Sequence, residues 1–146
     1  MRDYTKINAW AFADDLTVAI YAATKSFPKD EVYALTSQIR RASYSVPSNI
    51  AEGAARDTQK DYLHFLYIAR GSLTETRYFI HLSGRLGYLT AEQAGVLQEQ
   101  ADECLRVLGG LIRSVEKEAG KITRTIARTS SMLVLSLGIA YLRSKV

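Results

Sequence analysis

The sequence is short of the residues that interrupt or staple a fold. It has two prolines, Pro28 and Pro47, among 146 residues, and one cysteine, Cys104. A lone cysteine excludes an intrachain disulfide, and a reducing, cytoplasmic setting is expected. Asn-Gly and Asp-Gly pairs are absent, as is any run of alternating β-branched residues, which argues against hairpins and sheets. The opening MRDYTKINAW has no apolar run of signal-peptide length, because Asp14 and Asp15 interrupt the one candidate stretch, so no leader is expected. The longest uncharged run, Thr129 to Leu142, is 14 residues and holds three serines and a threonine. A bilayer span needs about 20 apolar residues.

Acid is missing from one region only. The chain carries 19 Lys+Arg against 15 Asp+Glu, a formal +4. Residues 1–120 hold 14 of those cations and all 15 acids, a net −1, whereas residues 121–146 hold five cations and no acid. The basic balance that would invite a nucleic-acid reading therefore belongs to the tail. A basic patch on the body would have to come from arrangement.

What is present is helical periodicity over a length that suits one domain. Phe12, Leu16, Ala19, Ala23 and Phe27 recur at helical steps until Pro28. Val32, Leu35, Ile39, Ala42, Val46 and Ile50 share a face of a second helix, and Pro47 within it predicts a kink or break between Ser43 and Ser48. A third segment starts after a cap at Asp57 or Thr58, ends near Gly84 and Gly87, and has too many apolar residues for one narrow stripe. Thr90 and Gln93 have capping-box spacing ahead of Leu97, Ala101, Cys104, Leu108, Leu111 and Val115, a coiled-coil-like seam. The expectation is an all-α, antiparallel up-down four-helix bundle over 1–120, with helices at about 9–27, 30–54, 58–87 and 91–118. An additional helical tail, basic and then apolar, is expected over 121–146.

No arrangement of nucleophile and base, metal ligands or phosphate loop stands out, so no enzyme activity, cofactor or metal is expected. His64 and His81 are 17 residues apart, roughly 100° around a helix, and do not share a face. Arg77 and His81 faintly resemble the arginine–histidine pair of some helical RNases at a shorter spacing; a partly buried, hydrogen-bonded histidine is the preferred reading.

The second helix carries a polar stripe. Gln38, Arg41, Ser45, Asn49, Glu52 and Arg56 step by 3, 4, 4, 3 and 4, one residue out of phase with the apolar face, and so border the core. Arg70, Gly71, Ser72, Glu75 and Thr76 offer matching groups on the third helix. Gly71 and Ser72 would allow close helix approach, and Arg41 is placed to pair with Glu75 or Glu52.

The run Gln38-Ile-Arg40-Arg41-Ala-Ser-Tyr-Ser45-Val-Pro47-Ser-Asn49-Ile-Ala-Glu52-Gly53, with Arg56 and Ala69-Arg70-Gly71-Ser72-Leu-Thr-Glu75, resembles a known family. It is similar to the four-helix-bundle proteins encoded in intervening sequences of bacterial 23S ribosomal RNA genes, also called the S23 ribosomal protein family, which is related to the accessory variability determinant proteins of diversity-generating retroelements. The resemblance covers roughly residues 8–119. It implies a non-enzymatic cytosolic bundle assembled as a homopentameric ring. It also implies RNA or DNA as a partner, with a reverse transcriptase where the gene lies beside a retroelement. Arg40, Arg41 and Arg56 are then the nucleic-acid candidates, while Gln38, Ser45, Asn49, Glu52, Ser72 and Glu75 form an oligomer or structural polar network.

Two accounts of the stripe follow. Either Arg41, Glu52 and Glu75 make satisfied ion pairs within or between subunits, or Arg40 and Arg56, facing away from Arg41, present a basic surface that a ring repeats in every protomer. For the tail, packing on a neighbour or partner is preferred over contact with an anionic membrane surface.

Overall fold

The computed structural model describes residues 2–143, with side-chain surroundings described through Gly120. Four helices, α1 (Asn8–Ala23), α2 (Leu35–Ala54), α3 (Gln59–Arg85) and α4 (Ala91–Arg143), account for the architecture, with single 3-10 turns beside α1 and α2. There is no strand among the described residues. Helix α1 packs on α2 and α4, and α3 packs on the same two, so the bundle closes as a square with α1 and α3 across one diagonal. None of the described helices is long and apolar enough to cross a membrane.

The helix ends follow from local chemistry. Pro28 holds Phe27 extended (φ −64°, ψ 150°) and ends the first helical segment. Thr58 caps α3 by accepting the Asp61 amide at 3.0 Å. At the other end of α3, Gly87 takes φ +75°, Tyr88 N–H donates to Ser83 O at 2.9 Å and Gly87 N–H to Gly84 O at 3.1 Å, a Schellman stop. Thr90 and Gln93 form the expected reciprocal box: Thr90 N–H donates to Gln93 Oε1 at 2.9 Å and Gln93 N–H to Thr90 Oγ1 at 3.1 Å.

The α1 stripe is shifted in phase, whereas those of α2 and α4 hold except at one residue each. The buried face of α1 is Ala9, Ala13, Leu16 and Ile20, leaving Phe12 exposed and Ala19 half-buried. Both stripes of α1 are apolar, so periodicity alone did not choose between them. Val32 lies in the turn before α2 and is exposed, so the core face of that helix begins at Leu35 and ends at Ala54. In α4 the buried position is Ile112, and Leu111 is half-buried.

Pro47 does not break α2, which is helical throughout. Proline has no amide to give to Ser43 O, four residues back. The Thr17 hydroxyl of α1 lies 3.0 Å from that orphaned carbonyl and 2.8 Å from Ala13 O, so its one proton is shared between them. Buried Pro47 is thus accommodated by a neighbouring helix. Gly53 sets the spacing between α2 and α3: a Cβ there would come within 2.8 Å of Phe65 Cβ. Gly71, expected to permit that approach, meets nothing within 4 Å and lies on the exposed side of α3. The smallest residue was in the right pair of helices but on the wrong one.

Helix α4 passes through Gly120 and runs on to Arg143, so the segment from residue 121 begins within a helix. One glycine costs about 1 kcal/mol relative to alanine and does not by itself stop a helix with Lys117, Glu118, Lys121 and Arg124 around it. Cys104 is fully buried, and desolvation pushes its thiol up to about 12.

Three outcomes are expected. Gly53→Ala destabilises the bundle by about 1–3 kcal/mol through overpacking, and Thr17→Val by about 1 kcal/mol through loss of the bond to Ser43 O, both read by urea unfolding. Parental stability for Gly53→Ala would show that the spacing is set elsewhere. Cys104 resists alkylation at pH 8 in the folded protein and reacts once urea unfolds it; fast reaction without denaturant would contradict its burial.

Candidate functional site

The polar stripe of α2 lies along the α2–α3 seam, where residue numbers rise on one helix as they fall on the other. Arg41 Nη2 is 3.7 Å from Glu75 Oε1. One turn on, Ser45 Oγ and Ser72 Oγ are 3.0 Å apart. Asn49 Nδ2 donates back to Ser45 O at 2.7 Å and to Ser45 Oγ at 3.0 Å, fixing both side chains. Gly53 and its contacts with Phe65 and Tyr62 come next. These groups form one line because i, i+4 spacing puts them over the same edge of α2.

Beyond Gly53 the stripe leaves the seam for solvent. Arg56 pairs with Glu52 one turn back, and its guanidinium lies 4.6 Å from the Phe65 ring centroid. Arg2 covers the same end of the bundle, with its guanidinium 4.4 Å from the Tyr62 ring centroid and its amide donating to Ala54 O at 3.0 Å. At the other end, Gln38 is exposed. Of the two expected partners for Arg41 the structure selects Glu75, because Glu52 lies about 16 Å along the same helix and pairs instead with Arg56.

The ion pairs of this line are exposed in the protomer, with Arg41 60% and Glu75 42% accessible at their side chains. Pairs so exposed contribute about 0–1 kcal/mol each. The half-buried hydroxyl and amide groups of Ser45, Ser72 and Asn49 are the specific part of the seam, because each is committed to a named partner.

The structure does not bring Arg40, Arg41 and Arg56 to one surface. Arg41 faces α3. Arg40 faces α1, where its Nε donates to Thr24 Oγ1 at 2.8 Å and its guanidinium lies 4.8 Å from the Tyr21 ring centroid. Arg56 lies just past the end of α2, and the helix from Arg40 to Ala54, about 21 Å long, separates the two. Of the three, Arg40 alone has no carboxylate partner among the described residues.

The histidines lie apart from this seam. His64 and His81 are exposed on α3 rather than partly buried and hydrogen-bonded as expected, with His64 packed edge-on to Phe65. Arg77 pairs with Asp102 of α4 at 2.6 Å, and Gln98 Nε2 donates to Arg77 O at 2.8 Å, so this arginine ties α3 to α4. Among the described residues there is no group of three or more His, Cys, Asp or Glu side chains that would hold a metal ion.

Sequence reasoning missed Lys25 and Lys29, which stand near Arg40 around one cavity. They flank the Phe27-Pro28 turn, and a turn carries no periodicity that would show where its side chains gather. Substitution would separate the two parts of the seam. Arg41→Ala is expected to change unfolding free energy by less than about 1 kcal/mol in a urea titration; a loss above about 2 kcal/mol would show that a neighbouring copy buries the pair.

The sequence profile described as 23S rRNA-intervening sequence protein matches residues 5–110, ending inside α4. Among solved structures, a protein of unknown function from the S23 ribosomal protein family of Bacteroides thetaiotaomicron VPI-5482 is similar, with 25% identity and a TM-score of 0.67. The similarity covers 71% of this chain and 97% of that one. No curated protein matches. With the profile spanning α1 to α3 and the polar seam, this chain belongs to the 23S rRNA-intervening sequence protein family.

Proposed function

We propose that the chain is a non-enzymatic, homo-oligomeric scaffold, a ring of five copies, that holds RNA or DNA. The observation that carries the reading is a pair of uncovered apolar faces on diagonal helices. On α1, Val18 is 65% exposed on the side away from the core, and Phe12 and Tyr21 are exposed on the two flanks of the helix, about 180° apart. On α3, Tyr67, Ile68 and Tyr78 are exposed around Gly71, whose place in a helix interior nothing within the protomer explains. Two different patches on opposite flanks are what head-to-tail contact in a closed ring requires, whereas a two-fold dimer would need one self-complementary patch.

Nucleic acid is the partner best suited to the charge that remains. The seam spends Arg41 and Arg56 on carboxylates, so of the three candidate arginines Arg40 is left, beside Lys25 and Lys29, together with the five cations of residues 121–146. Repeated five times, these would line a nearly neutral body with cationic sites. The continuity of α4 through Gly120 favours a second reading, in which the basic and apolar segment beyond it binds a protein partner.

In solution the native mass is expected near 80 kDa, five times the 16.3 kDa protomer. Gly71→Arg and Val18→Asp are expected to release protomers while preserving helicity. A parental chain that runs at the protomer mass at micromolar concentration would overturn the ring. Retention of single-stranded RNA should fall steeply with salt, and Lys121→Gln with Arg124→Gln and Arg128→Gln should flatten that slope. Salt-independent retention would remove the phosphate-contact reading.

A further inference from the structure

The end of α1, the connection after it and the first turns of α2 enclose a cavity of about 560 Å³ that the seam does not use. Its volume falls within the about 300–1,000 Å³ usual for small-molecule sites. Lys25, Lys29 and Arg40 line it, and no Asp or Glu does. None of these three cations makes an ion pair among the described residues. Two acids follow this turn: Asp30 is exposed and lies outside the cavity lining, and Glu31 is already committed, accepting the Tyr88 hydroxyl at 3.0 Å and the Leu35 amide at 3.0 Å. Three like charges around one cavity repel each other unless an anion lies between them.

Two further features point the same way. Thr36, on the cavity wall and 5% exposed, has a hydroxyl with no hydrogen-bond partner among the described residues. A buried polar atom left unpaired costs about 1–3 kcal/mol, and such atoms are rare enough in native proteins to require a reason. Thr36 also stands in the first turn of α2, where the helix dipole and the amides lacking intrahelical acceptors favour an anion. Arg40 is held ready: its bond to Thr24 Oγ1 and its packing on Tyr21 fix the guanidinium through Nε, and its terminal nitrogens have no acceptor among the described residues. At the rim Tyr44 is 45% exposed and offers an aromatic face.

We infer that this cavity binds one nucleotide, with its phosphate held by Lys25, Lys29 and Arg40 and its base stacked on Tyr44. The phosphate can belong to a free mononucleotide or to one unit of a single strand. The inference deepens the nucleic-acid reading above and rests on it only for the second of these sources. Stacking on an exposed aromatic serves any base, so the site reads a phosphate beside a base and not a sequence.

The full chain is titrated with adenosine monophosphate, inorganic phosphate and a labelled 12-nucleotide oligouridylate. Lys25→Glu with Lys29→Glu changes exposed residues, and its melting temperature should stay at the parental value. It is expected to weaken nucleotide binding at least about ten-fold, in line with the loss of two phosphate contacts. Tyr44→Ala is expected to weaken the monophosphate and leave inorganic phosphate unchanged. Thr36→Val should keep or raise the melting temperature while weakening every phosphate ligand.

Binding of the monophosphate with this pattern supports the site for free nucleotides, and oligouridylate binding with the same pattern supports it for a strand. Equal affinity for inorganic phosphate and monophosphate overturns the role of Tyr44. Affinities unchanged by Lys25→Glu with Lys29→Glu overturn the site. If that double variant keeps oligouridylate binding and the tail substitutions abolish it, the nucleic-acid reading survives and the cavity proposal fails. If the monophosphate binds as expected and the strand does not, the cavity stands and the nucleic-acid reading fails.

Discussion

Helix α2 can lie against α3 as closely as it does because residue 53 has no side chain. A Cβ there would come within 2.8 Å of Phe65 Cβ and 3.0 Å of Tyr62. That spacing puts Ser45 within hydrogen-bond distance of Ser72 and Arg41 beside Glu75. On its other flank α2 must offer α1 a carbonyl that Pro47 cannot satisfy, and Thr17 reaches it. The middle helix is therefore tied on both sides by groups other than its apolar face. Apolar packing holds the four helices together, but these polar contacts fix the register at which they meet.

Charge is distributed according to the same geometry. Along the seam each arginine has a carboxylate within reach, so the seam presents little net charge to solvent. Arg40 sits about 100° around α2 from Arg41 and finds only a hydroxyl and an aromatic ring on α1. There it joins Lys25 and Lys29, with no acid facing them. A body with a net charge of −1 thus still concentrates positive charge in one place. The flank where α1 meets α4 has the opposite character, with Asp15, Glu99 and Glu103 around Phe12 and Leu16.

Much of this was legible in the order of residues. The number of helices, the capping box at Thr90 and the stop at Gly87 all follow from spacing. They depend on residues within a few positions of one another or on one helix face. The phase of α1, by contrast, was ambiguous because Ala9, Ala13 and Phe12 are all apolar, and only packing against α2 and α4 selects the alanines. Pro47 looked like a break because its missing bond is local, while its remedy, Thr17, lies on another helix. Gly71 looked like a contact glycine by composition, and Gly53 is the one with no room for a side chain.

The sequence by itself determined an all-helical chain, its turns, and a family whose motif falls on one edge of α2. It did so because caps, prolines and the 3.6-residue period act over short stretches of chain. Only the tertiary structure decided which arginines are neutralised and which remains free, that Lys25 and Lys29 gather with Arg40, and that Thr36 is buried without a partner. Those outcomes depend on distances between helices, and a distance between helices is set by which side chains fill the space between them.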